Sequence, residues 1–262
     1  MINLTGRPHD ILDYPLLVFP LSWLILWLAT RIGASVLRRE RKLAQHVRDD
    51  LNTVLVTTLT LNGLIIGFSF SMAINRYEQR KQYEEAEANA IGTEYARADL
   101  LPTADAAKAR LLLSQYLDQR VLYYLAHEEP QIRQIDARTA QLQTELWAVV
   151  RGSAGTEPTA VVALTVAGMN DVLNSQGYTQ AAWWNRIPTG AWILMAAIAV
   201  ISQLLIGYGA QNAKAEGALF TVLPFVVSIA FLLIADIDSP RSGIIRVYPQ
   251  NLASLVVSLR GH

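Results

Sequence analysis

The sequence predicts an all-α integral membrane protein: four transmembrane helices, two plus two, with a helical soluble domain inserted between the second and third. Three observations predict it. Apolar runs lie at roughly 15–37, 51–74, 188–210 and 217–235, each about 20 residues long, enough to cross a hydrocarbon core of ~30 Å at 1.5 Å per residue. The 262 residues are 52% hydrophobic and only 17% charged, where soluble domains carry about a quarter of their residues as charges. No stretch alternates with period two, so strands are not expected. The expected segments are 1–74 (tail and first two spans), 75–187 (extramembrane domain), 188–236 (last two spans) and 237–262 (C-terminal tail with a short helix).

The first run, Pro15 to Leu37, holds Trp23 and Trp27 and carries Arg31 in its last turns, where a long side chain can snorkel to the interface. The N-terminal stretch before it lacks a basic region and no small-residue cleavage site closes the run, so it reads as a retained helix. The second run leads into Asn75–Leu101, which contains no Pro and only Gly92, so the helix is expected to continue out of the membrane until Leu101-Pro102. Ala104–Glu129 repeats Leu113, Tyr116, Leu117, Val121 and Tyr124 at helical spacing. Gln131–Arg151 reads as a further helix, Gly152–Pro158 as a loop, and Ala160–Asn174 as a helix ending before Gly177. The third run follows Trp183-Trp184, aromatics that suit the headgroup level. The fourth contains Pro224, a kink signal, and ends at Asp236-Ile237-Asp238-Ser239-Pro240.

Charge leaves the orientation open. Arg31, Arg38, Arg39, Arg41, Lys42, Arg48 and Lys214 mark one side; Arg7, Arg76, Arg80, Lys81, Arg186, Arg241 and Arg246 mark the other. The positive-inside rule compares such counts, and these are equal. A formal net charge of zero argues against nucleic acid as a partner. The absence of cysteine excludes disulfides, thiol catalysis and thiolate metal sites.

The second run is too polar for a plain anchor. At 100° per residue, Thr53, Thr57, Thr60, Leu64, Phe68, Ser71 and Asn75 fall within about an 80° sector. Thr58, Asn62, Ser69 and Arg76 form a second stripe opposite, and Gly63 and Gly67 are a small-xxx-small pair between them. Two readings are open. The polar groups can bond neighbouring helices or their own i−4 carbonyls, with the glycines permitting close packing. Alternatively one stripe lines a water-filled path around an oligomer axis, with Leu64 and Phe68 as an apolar constriction that gates by dewetting.

The segment Gly67-Phe68, then Arg76-Tyr77-Glu78-Gln79-Arg80-Lys81, resembles the pore-helix exit of bestrophins, a pentameric chloride-channel family. Asp236-Ile237-Asp238-Ser239-Pro240 is similar to the acidic stretch after their last transmembrane helix. The chain is identified as a member of a bacterial bestrophin-like family on GFSFSMAINRYEQR, EANAIGTEYARADLLP and DIDSPRSGIIRV. Phe68, Leu64 and Thr60 take the positions of the apolar neck residues. Thr60 makes the upper neck polar, and Tyr77-Glu78 replaces the usual double aromatic. The resemblance implies a homo-oligomer, a pentamer by analogy, in a bacterial inner membrane, with the middle domain and both termini cytoplasmic. It further implies a pore lined by Thr60, Leu64, Phe68 and Ser71, with small anions passing.

Arg76, Arg80 and Lys81, repeated around an axis, would form a basic ring that concentrates anions at the pore exit. The plainer reading makes them interfacial anchors paired with Glu78, Glu84 and Glu85. Glu84, Glu85, Glu87 and Glu94 with Arg97 and Asp99 could be a divalent-cation site, but an acidic run on a helix more often forms a solvated face or intersubunit salt bridges. By the resemblance, Asp236 and Asp238 are the better metal candidates. Their alternative is helix termination and pairing with Arg241 or Arg246. The four histidines are scattered, and no nucleophile elbow, phosphate loop or dinucleotide fingerprint occurs. No enzyme activity and no cofactor are therefore expected. The leading expectation is a passive anion channel in the lipid bilayer. The alternative is a non-conducting scaffold or sensor whose helical domain binds a partner.

Overall fold

The computed structural model describes residues 12, 14–37, 45–156, 159–210 and 219–261. The basic turn read at Arg38–Lys42 and the Lys214 turn lie outside them. Among the described residues eight α-helices follow in order: α1 (Pro15–Ile32), α2 (Gln45–Arg97), α3 (Thr103–Leu125), α4 (Glu129–Thr156), α5 (Ala160–Trp184), α6 (Thr189–Gly209), α7 (Leu219–Asp238) and α8 (Gln250–Arg260). A π-helical turn (Gly33–Leu37) closes α1, and a 3₁₀ turn (Ala98–Leu100) closes α2. There is no strand among the described residues. Among the described residues, four helices are long and apolar enough to cross a membrane. Two compact units divide the chain: Met1–Asn75 with Arg186–Ile245, and Arg76–Asn185 with Arg246–His262.

In the first unit, α1, α6 and α7 pack together. Pro15 opens α1 at a position where its missing N–H is no loss. At the other end Gly33 lies against the Leu204 carbonyl and Gly207 against the Thr30 carbonyl; a Cβ on either would collide with backbone. That reciprocal notch brings the two helices into backbone contact, the role of small residues between membrane helices. Thr30 Oγ1 donates to Gln203 Oε1 at 2.9 Å, a buried interhelical bond one turn away. Phe19 meets Phe225 edge-on at 5.6 Å, and Trp192 meets Phe231 at 6.3 Å. Trp192 is therefore a packing residue. Arg31 turns back over the Trp27 ring at 4.9 Å.

The ends of these helices fix their directions. Leu12, before α1, accepts from Arg186 Nη2 (3.2 Å) and Ser239 Oγ (2.9 Å), so α1 and α6 begin where α7 ends. Gly209, closing α6, sits near Leu51, which opens the apolar part of α2. α1 and α6 are thus parallel, with α2 and α7 antiparallel to them.

The second unit is built on α3, α4 and α5 with the later half of α2 and with α8. Its core joins Ile91, Leu113, Tyr116, Leu142, Met169 and Leu252, all fully buried. Two helices run further than their local signals predict. α4 continues through Gly152 to Thr156 because Ser153 is buried and its Oγ donates to Asp105 Oδ2 at 2.6 Å. α5 continues through Gly177 to Trp184. An interior glycine costs only about 1 kcal/mol, and Trp183 offsets it by packing on Tyr123 and Tyr124 at 5.3 and 5.4 Å. Trp183 thus belongs to this core, and only Trp184 is exposed.

Candidate functional site

Burial separates the two stripes of α2. In its apolar stretch Asn62, Ser69 and Ala73 are buried and Thr58 is half-buried, so this polar stripe is the packed one. Thr53, Thr57, Thr60, Ser71 and Asn75 are exposed on the opposite side, with Leu64 at 52% and Phe68 at 64%. Only 11% of the most apolar window of α2 is buried, against 50% for α7. The chain itself leaves the Thr60–Leu64–Phe68 face of α2 uncovered.

Its hydroxyls are not idle. Thr53, Thr57 and Thr60 donate to the carbonyls of Asp49, Thr53 and Val56 at 3.0, 2.8 and 2.8 Å. Each such i−4 bond satisfies the hydroxyl proton and turns oxygen lone pairs outward. Leu64 and Phe68 add bulk without polarity. This face can therefore line a wet path or lie against another apolar surface at little cost.

The three basic residues after this stretch are placed differently from one another. Lys81 is exposed and Arg76 half-buried. Arg80 is 2% exposed, a departure from the expected basic ring: two turns along from Ala73, it falls on the packed side of the helix. The acidic run also departs from a solvated face. Glu84, Glu87 and Glu94 are buried, while Glu85 and Asp99 are exposed.

Each buried glutamate has its own setting. Glu84 accepts the backbone N–H groups of Asn251 and Leu252 and the Asn251 side-chain amide, at 2.9, 3.0 and 2.7 Å. It caps the start of α8 and is not paired as an interfacial anchor. Glu87 meets Arg120 Nε and accepts from Thr179 Oγ1 at 3.0 Å, and the Arg120 guanidinium lies over Tyr123 at 4.5 Å. Burial, the largest single effect, would lower the Arg120 pKa, but the charge and hydrogen bond of Glu87 together with Tyr116 and Tyr123 outweigh it and hold the guanidinium above its ordinary value. Burial, then the same Glu87 charge, pushes the Tyr116 phenol up. Glu94 has no such partners.

After α7 the chain folds back on two carboxylates. Asp236 accepts from the N–H groups of Ile244 and Ile245 at 2.7 and 2.8 Å. Asp238 accepts from the Ile187 N–H at 3.1 Å and faces Arg186 Nε at 3.5 Å. Both therefore hold chain segments, each carboxylate accepting from backbone N–H donors. Asp238 pairs with Arg186, and Arg246 lies 3.0 Å from the His127 ring. Among the described residues, no group of three or more acidic, His or Cys side chains is placed to hold a metal ion.

Four candidate spans, an α2 that leaves one striped face uncovered, and a helical extramembrane unit define a membrane protein of two-plus-two helical class. The Bestrophin-like domain matches residues 16–252, and the chain belongs to that family. Among solved structures it is similar to a bacterial bestrophin homolog from Klebsiella pneumoniae. One point mutant of that protein matches at a TM-score of 0.63 and 12% identity, covering 94% of this chain and 99% of that one. A second point mutant matches at 0.62 and 12%, covering 93% and 99%. Another structure of the homolog gives 0.62 and 12%, covering 94% and 98%. At such identity the likeness is one of fold. A search of curated protein sequences returns no match.

Proposed function

We propose that the chain forms a homo-oligomeric membrane channel, a pentamer by family analogy, that passes small anions passively. Thr60, Leu64, Phe68 and Ser71 of α2 line the pore. The observation that carries this reading is the burial pattern of α2: one polar stripe is packed, and the other, with its Leu64–Phe68 constriction, is left open. Around an axis, apolar rings at these two positions would set the gate by dewetting. Lys81 and Arg76 supply positive charge beyond the constriction and raise local anion concentration; Arg80, being buried, is a framework residue here. By family analogy the protein sits in a bacterial inner membrane with the second unit and both termini cytoplasmic.

A second reading keeps the same fold without conduction, as a scaffold or sensor whose helical unit binds a partner. The back-bonded hydroxyls of Thr53, Thr57 and Thr60 favour it, because they let that face meet apolar surroundings with no unmet donor. Purified protein reconstituted in vesicles separates the two. A channel gives anion flux that rises several-fold in Phe68→Ala and loses anion preference in Lys81→Glu. Flux absent from both wild type and Phe68→Ala, with α2 at the periphery of the imaged particle, supports the scaffold.

A further inference from the structure

Glu94 is a buried ionisable group of the second unit that nothing above accounts for. It is 1% exposed, and neither carboxyl oxygen has a hydrogen-bond partner. A charged carboxylate in that state would be costly, whereas a neutral carboxyl is tolerated. Its seat is specific. On α5 the position facing it is Gly168, where a Cβ would collide with Glu94 Oε2 and Arg97 Nη1. One turn earlier on α5, Thr165 donates to the Arg97 carbonyl at 3.4 Å. Met169 and Val172 are fully buried beside this contact. α2 and α5 therefore touch through a side chain whose charge is set by one proton.

The charged groups around it are few. Arg97 comes from its own helix and Asp171, exposed, from α5. On the neighbouring 3₁₀ turn and α3, Asp99 and Arg110 pair with each other, and Arg110 lies over Tyr95 at 5.3 Å. On α8, Arg260 pairs with Asp118 at 2.7 Å.

We propose that Glu94, seated against Gly168, is a proton-operated joint between α2 and α5. With the carboxyl neutral, the two helices close on each other. When the O–H bond breaks and the proton passes to water, the carboxylate is left buried with no hydrogen bond to either oxygen. It is drawn to Arg97 and to solvent, and the Gly168 contact opens. Burial is the main cause that pushes the group up to about 8; Arg97 opposes the shift and Asp171 adds to it. The sign follows from proton binding. Between the ordinary carboxylate range and about pH 8, the folded protein holds a proton that the unfolded chain has lost. Stability from this site is full in acid and declines as pH rises through that window.

The test uses the intact protein in lipid nanodiscs. Difference infrared spectra are expected to show a protonated-carboxyl band that titrates near pH 8 and is missing in Glu94→Gln. Amide exchange at residues 90–98 and 164–172, corrected for its intrinsic pH dependence, is expected to rise by up to about tenfold per pH unit between the ordinary carboxylate range and about pH 8, and to level off above it. In Glu94→Gln it is expected to stay flat. Asp171→Asn, at an exposed position safe for folding, should move the midpoint to lower pH. The proposal is overturned by a band already lost at pH 6, by matching exchange profiles in wild type and Glu94→Gln, or by a midpoint unmoved in Asp171→Asn. None of these readouts depends on whether α2 lines a pore.

Discussion

Glu84 holds Leu252: a buried carboxylate on α2 accepts the backbone N–H that begins the first turn of α8, 168 residues later in the chain. With the Asn251 contacts it makes three charge-assisted hydrogen bonds, each stronger than a neutral one. Glu84→Ala is expected to destabilise the protein by about 2–4 kcal/mol, because three donors lose an acceptor. The docking of α8 should suffer first. Limited proteolysis would read this as early cleavage after residue 245, and thermal melts would read the stability loss.

The Glu87–Arg120 pair should behave asymmetrically. Glu87→Ala strands a fully buried guanidinium, which costs about 3–5 kcal/mol. Replacing both, as Glu87→Leu with Arg120→Met, is expected to cost markedly less, since an apolar pair of similar volume leaves no uncompensated charge. Melting temperatures of the two single variants and the double variant give the coupling directly.

The Gly33–Gly207 notch is intolerant of one methyl. Gly207→Ala would press on the Thr30 carbonyl and the Ala34 amide, and overpacking of this kind costs about 1–3 kcal/mol. Gly63 and Gly67 meet nothing within 4 Å. Substituting alanine there is expected to leave the fold of the chain intact, and any effect should appear in self-association. Sedimentation in detergent alongside a thermal melt distinguishes the two sets.

The turn after α7 is expected to be indifferent to divalent cations. Asp236 already takes two N–H donors, so calcium or a chelator should not shift the melting temperature. Asp236→Ala should lower stability by about 2–3 kcal/mol through those two bonds. A calcium-dependent shift in wild type that disappears in Asp236→Ala would reverse this assignment.

The membrane part of the fold is legible in the sequence because length and hydropathy are local properties. The four apolar runs became α1, the first part of α2, α6 and α7 with ends displaced by only a few residues. The stripes of α2 are legible for a similar reason: helical geometry puts Leu64 and Phe68 opposite Asn62 and Ser69 before any partner is known. The acidic run was not legible. Glu84, Glu87 and Glu94 look like a solvated face by composition, and their settings come from residues far along the chain: Leu252, Arg120 and Gly168. The extension of α5 was hidden in the same way. Gly177 is a local stop signal, overridden by the packing of Trp183 on Tyr123 and Tyr124. The notch between Gly33 and Gly207 left a signal in two isolated glycines, but nothing local says which pairs with which.

The knot of Leu12, Arg186 and Ser239 has a consequence for biosynthesis. Ser239 reaches a carbonyl 227 residues earlier in the chain, and Arg186 bridges the same two partners. During translation that contact cannot form until the last span has left the ribosome. A nascent chain arrested before residue 239 lacks the hydroxyl that ties the entry ends of α1 and α6 to the end of α7. Crosslinking between positions 12 and 239 in staged translation intermediates is expected to appear only once α7 has been inserted.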